Sequence, residues 1–115
     1  MTTPRELERV EAIFAANNIW VSKTVLLKTN WVLSDSYEFT PRQIVDSFRS
    51  LAGLPNVRLE QQDEVGMALD LAEQGFEFAD ALHMATCGPA EQFVTFDAKL
   101  VRRAHKAGLH AVVKA

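Results

Sequence analysis

Apolar positions recur along this chain with two different spacings. Leu7, Val10, Ile13 and Phe14 lie three and four residues apart, the signature of one helix face. Thr3-Pro4-Arg5-Glu6 reads as the start of that helix, with Thr3 as N-cap, Pro4 as first helical residue and Glu6 as the reciprocal capping-box acceptor. Asn17-Asn18 ends it, Ile19-Trp20-Val21 predicts a short strand, and Ser22 is placed to cap the next helix. That helix runs from about Lys23 to Ser34. It is apolar on most sides, through Val25, Leu26, Leu27, Trp31, Val32 and Leu33, which predicts that it is largely buried. Thr40-Pro41-Arg42-Gln43 repeats the capping-box pattern. It opens a third helix whose inward face is Ile44, Val45, Phe48 and Leu51, ended by Gly53 and Pro55.

Val57-Arg58-Leu59 alternates like a strand. A fourth helix starts at Asp63, carries Val65, Leu69 and Ala72, and closes near Gly75. A fifth spans about Ala79 to Thr86 and stops at Gly88-Pro89; Phe93–Phe96 is the clearest strand. Asp97 caps a sixth helix through about Lys106, Gly108 closes it, and Ala111-Val112-Val113 is the last strand. Strands alternating with helices predict an α/β fold with a mainly parallel sheet. The 115 residues show no linker or repeat and are read as one domain.

Composition narrows the class without naming a function. The chain is 48% hydrophobic and 23% charged, ordinary for a globular protein. Its net charge of −3 has the wrong sign for a general nucleic-acid binder, although Lys99, Arg102, Arg103 and Lys106 form a local basic run. Cys87 is the only cysteine, so no internal disulfide forms, which fits a reducing compartment. Met1 to Glu8 are polar and charged, unlike a secretory signal, and no apolar run approaches the ~18 residues of a membrane span. The expectation is a cytoplasmic protein with no membrane partner.

Few residues are candidates for chemistry. Asp97 follows a predicted strand directly, and sites in open α/β sheets form at the carboxyl ends of strands. It is either a metal ligand, the N-cap of the next helix, or both. Asp80 lies in a helical first turn among apolar neighbours. It is either placed there for the helix dipole or held as a partnered, partly buried carboxylate. Lys28 is flanked on its helix by Val25 and Val32, and either snorkels to water or pairs with Asp80 or Asp97. His83, one turn after Asp80, reads as structural or exposed. The Thr95 hydroxyl, two residues before Asp97, is placed to hold a carboxylate or a metal-bound water. No zinc spacing, phosphate loop, nucleophile elbow or dinucleotide fingerprint is present.

Three stretches, in this order and at these separations, resemble the PIN-domain ribonucleases of VapC toxins. They are Trp20-Val21-Ser22-Lys23-Thr24-Val25-Leu26-Leu27-Lys28-Thr29-Asn30-Trp31-Val32-Leu33, Phe78-Ala79-Asp80-Ala81-Leu82-His83 and Val94-Thr95-Phe96-Asp97-Ala98-Lys99-Leu100. The resemblance covers about residues 4 to 113. It implies a three-layer α/β/α fold and a cluster of four acids binding Mg²⁺ or Mn²⁺ to activate water against RNA. Asp80 matches the third family acid, Asp97 the fourth, and Thr95 the hydroxyl before it. The first acid ends an opening central strand that has no counterpart here, so a truncated start with two strand pairs flanking a gap is the expectation. At the second acid stands Lys28, a cation in the place of a ligand.

The resemblance therefore implies a VapC-type, divalent-metal-dependent RNA endonuclease from a toxin–antitoxin pair, with activity impaired in this chain. The alternative is an inactive PIN-like module that binds a VapB-type antitoxin, whose tail in the family crosses the helices matching about residues 23 to 53. A homodimer is a further expectation from the same source.

Overall fold

The computed structural model describes residues 4–115; Thr3, the expected first cap, lies outside them. Helix α1 is Pro4–Ala16 and strand β1 is Ile19–Val21. Helix α2, Lys23–Asp35, is started by two acceptors. The Ser22 hydroxyl takes the Val25 amide at 3.2 Å, and Glu60 Oε1, from a distant turn, takes the Lys23 amide at 3.0 Å. Both satisfy amides that have no partner inside the helix. Helix α3, Pro41–Ala52, opens with the full capping box: the Gln43 amide donates to Thr40 Oγ1 and the Thr40 amide to Gln43 Oε1.

The remaining elements are β2 (Val57–Leu59), α4 (Gln62–Glu73), α5 (Phe78–Ala85), β3 (Phe93–Thr95), α6 (Ala98–Lys106) and β4 (Val112–Lys114). Helix α4 begins one residue before Asp63 and has no side-chain cap. Instead Gln61 takes a left-handed conformation (φ 47°), which turns the chain from β2 into α4. Gly75 (φ 103°) and Gly108 (φ 87°) leave α4 and α6 in the left-handed region that glycine adopts without steric cost. Gly53 ends α3 in an ordinary right-handed conformation, so its lack of a side chain is not required there.

The fold is mixed α/β, and its strands pair in parallel. The single sheet expected from the sequence is replaced by two sheets of two strands each. β1 pairs with β2 in the register Ile19–Val57 to Val21–Leu59, and β3 with β4 in the register Phe93–Val112 to Thr95–Lys114. Three-residue strands supply too few ladder bonds to stand alone, so each pair depends on the helices beneath it.

The core gathers around α3, α4 and α5. Ile44, Val45, Phe48, Val65, Leu69 and Leu82 are all buried, and the Phe48 and Phe78 rings meet at 5.2 Å. Outside it, Arg49 ties α3 to α4 through Asp70 at 2.8 Å and Glu73 at 3.0 Å. Those bonds, Asp70 first, hold the Arg49 guanidinium above its ordinary pKa against the opposing effect of burial.

Helix α2 corrects the sequence reading most. Of its apolar residues only Leu26 is buried, while Val25, Trp31 and Val32 are 52%, 56% and 41% exposed. Helix α1 has no buried residue at all. Its end is fixed by the Asn56 side-chain amide, which donates to the Phe14 and Asn17 carbonyls. The outcome is an open shape. The radius of gyration is 15.9 Å, against about 13 Å for a compact chain of this length. The accessible surface is 7964 Å², against about 6300 Å² for a compact monomer of this mass.

Candidate functional site

Asp97 stands just past the carboxyl end of β3. Its Oδ1 accepts the Lys99 amide at 3.0 Å and the Leu100 amide at 3.1 Å, and so caps α6. Its own amide donates to Thr95 Oγ1 at 3.1 Å. The Thr95 hydroxyl therefore shapes the turn that presents Asp97, and Asp97 Oδ2 makes no hydrogen bond among the described residues. One carboxylate oxygen serves the fold, and the residue as a whole is exposed.

Asp80 is the third residue of α5, half-buried, where the N-terminal end of the helix favours a negative charge. Its side chain has no hydrogen bond or ion pair among the described residues. Lys28 is exposed on α2. Its neighbours Val25 and Val32 are also exposed, so the ammonium reaches water without snorkelling. His83 is exposed on α5.

Packing of α2 on α5 brings the helices of Lys28 and Asp80 together. No ion pair joins Lys28 to Asp80 or to Asp97 among the described residues. Asp97 follows β3 of one sheet and Lys28 lies on the helix after β1 of the other, so the two do not stand at one sheet.

Mg²⁺ and Mn²⁺, implied by the resemblance, do not fit this donor set. Among the described residues no group of three or more His, Cys, Asp or Glu side chains is arranged to hold a metal. Asp80 and Asp97 supply two carboxylates, one already half-committed to a helix cap, whereas Mg²⁺ demands a near-octahedral oxygen shell.

The larger feature of this region escaped the sequence reading. A cleft of about 470 Å³ opens between α2, α3 and the α4–α5 connection, with Trp31, Ile44, Val45, Phe76 and Phe78 among its walls. It runs to Ala79, the residue before Asp80. A second missed contact lies beside it. The Arg103 guanidinium sits over the Phe76 ring, 5.9 Å from its centroid. A Cβ at Gly75 would meet Arg103 Nη2 at 3.4 Å, an ordinary contact, so it is the φ of 103° and not the space beside Arg103 that favours glycine here. The bare signal was present in the sequence, as the Gly75-Phe76 pair between two helices, but nothing in its spacing pointed to Arg103.

No family profile matches the chain, and neither a curated protein nor a solved structure does. No helix among the described residues is long and apolar enough to cross a membrane.

Proposed function

We propose that this chain is a PIN-like module of the VapC type that binds the tail of a VapB-type antitoxin in the α2–α3 cleft, with RNA cleavage impaired. The cleft carries this reading. Its walls are mainly aromatic and aliphatic, and Trp31 remains 56% exposed at its side. Exposed aromatic anchors of this kind are what an amphipathic helix laid in a groove requires. The surplus accessible surface points the same way, because one partner of a standard interface covers about 800 Å². Two parallel strand pairs alternating with helices support this reading at the level of a mixed α/β fold, and the PIN-like three-layer arrangement is part of the proposal.

The competing reading is a working, metal-dependent endoribonuclease with Asp80 and Asp97 as ligands and Thr95 beside them. One observation favours it: Asp80 is half-buried without a partner among the described residues, and a carboxylate in that setting usually has one. The donor set weighs against it.

A single experiment separates the two. A peptide of about four helical turns, with leucine and isoleucine along one face, is titrated into the Trp20→Phe variant while Trp31 fluorescence is followed. The binding module predicts a saturable change that Ser34→Lys, at an exposed position in the cleft wall, abolishes, and no Mn²⁺-dependent RNA cleavage above that of Asp97→Asn. Cleavage that needs Mn²⁺ and disappears in Asp80→Asn or Asp97→Asn would establish the nuclease instead.

A further inference from the structure

Helix α6 concentrates charge that no ion pair among the described residues neutralises. Lys99, Arg102, Arg103 and Lys106 recur at helical spacing along one face, opposite the buried Leu100 and Ala104. Four of the chain's 12 lysines and arginines therefore lie on nine residues that include no acid. Like charges three and four residues apart destabilise a helix. No ion pair offsets them among the described residues, although Arg49 takes two carboxylates on the neighbouring α4. The stripe also touches the cleft, because Arg103 packs over Phe76, which forms part of the cleft wall.

We infer that the α6 stripe is a second anchor for the cleft's occupant: it binds a short acidic stretch of peptide flanking the apolar segment that lies between α2 and α3. This rests on the reading of the cleft as a peptide groove. From Lys99 to Lys106 the helix rises about 10 Å. At about 3.3 Å per residue, that is the length of three extended residues, so a run of aspartates or glutamates matches the stripe. Arginine suits this role because its planar fork meets a carboxylate with two parallel hydrogen bonds. Cation–π contact with Phe76 restrains Arg103 before any ligand arrives. A long nucleic acid fits less well. It would run beyond this short patch onto a chain whose overall charge is −3.

The test uses the whole chain and four labelled probes read by fluorescence anisotropy. They are the amphipathic peptide extended by six glutamates, the same peptide extended by six glutamines, hexaglutamate alone, and an oligouridylate. At low salt the glutamate-extended peptide should bind about tenfold tighter than its glutamine twin, as several weak exposed ion pairs acting together would give. That ratio should fall toward one at high salt. It should also fall in Arg102→Gln/Lys106→Gln, a variant that leaves the Arg103–Phe76 contact in place and whose melting curve reports its folding. Equal binding of the two extended peptides overturns the proposal. So does oligouridylate displacing hexaglutamate from the stripe, which would make α6 a nucleic-acid track. If Trp31→Ala changes neither extended peptide while hexaglutamate binding still needs Arg102 and Lys106, the groove reading fails and the acidic-peptide anchor stands.

Discussion

The stretch from α3 to α5 and the stretch from α1 to α2 are built from similar residues and end in different states. In α3, α4 and α5, twelve side chains are buried, from Ile44 to Ala85. In α1 and α2 only Leu26 is buried, although Leu7, Val10, Ile13, Val25, Trp31 and Val32 are as apolar as the core residues. Apolar spacing makes a face, but burial needs a second face to meet it. Helices α3, α4 and α5 meet one another. The outer faces of α1 and α2 meet nothing among the described residues, and one side of each parallel sheet, at Trp20 and Val94, is open too. Parallel sheets are ordinarily covered on both sides. The same chain therefore contains a finished core and an unfinished surface, and the cleft lies along the boundary between them.

The sharpest way to break this contrast is a cut in the finished half. Leu69 is 2% exposed at the centre of α4. Leu69→Ala should lower the unfolding free energy by about 2–5 kcal/mol, since it removes burial and leaves a cavity. Urea unfolding followed by circular dichroism measures it. A loss below about 1 kcal/mol would mean that the core yields as readily as the surface and that the two halves are not different in kind.

The next effect sits at a cap. Asp97→Ala removes the acceptor of two α6 amides and should cost about 0.5–2 kcal/mol. Asp97→Asn keeps an oxygen at the same place and should cost much less. If both variants are equally destabilised, the negative charge rather than the cap geometry is what Asp97 contributes.

Caps were the most legible part of the fold. Ser22, Thr40 and Asp97 each announce a helix by a short polar side chain before an apolar run, and each makes the bond its position implies. Local chemistry of this kind is written in neighbouring residues. Glu60, which caps α2 from 37 residues away, and Asn56, which holds the end of α1, were not legible because their partners are distant in sequence. The start of α4 was missed by one residue because it depends on the backbone of Gln61, not on a capping side chain. The site divides the same way. Asp97 and Thr95 are fixed by a local turn, whereas the meeting of α2 with α3 and α5, and of Arg103 with Phe76, arises only from packing. The burial of α2 was misjudged because a helical wheel reports composition around an axis and says nothing of what stands opposite.

The smallest effect is the most telling for the unfinished half. Ile13 is 52% exposed, and its helix neighbours Leu7 and Val10 are 51% and 46% exposed. Removing a side chain that already faces water loses little transfer free energy, and alanine gains slightly in helix propensity over isoleucine. Ile13→Ala should therefore shift the stability of the isolated chain by less than about 0.5 kcal/mol, in contrast to the same kind of truncation at Leu69. The measurement is the urea midpoint of Ile13→Ala beside that of the unmodified chain at several protein concentrations. A loss of about 1.5 kcal/mol or more at every concentration would show that α1 folds back onto the domain, and the contrast would fail. A loss that grows with protein concentration would show instead that a second copy covers this stripe, because association stabilises by mass action. With neither, the α1 stripe is an apolar face that the described residues leave open, and this half of the molecule is held by the Asn56 hydrogen bonds, the Ser22 cap and the inner side chains Phe14, Ile19, Leu26 and Leu27 packed on the core.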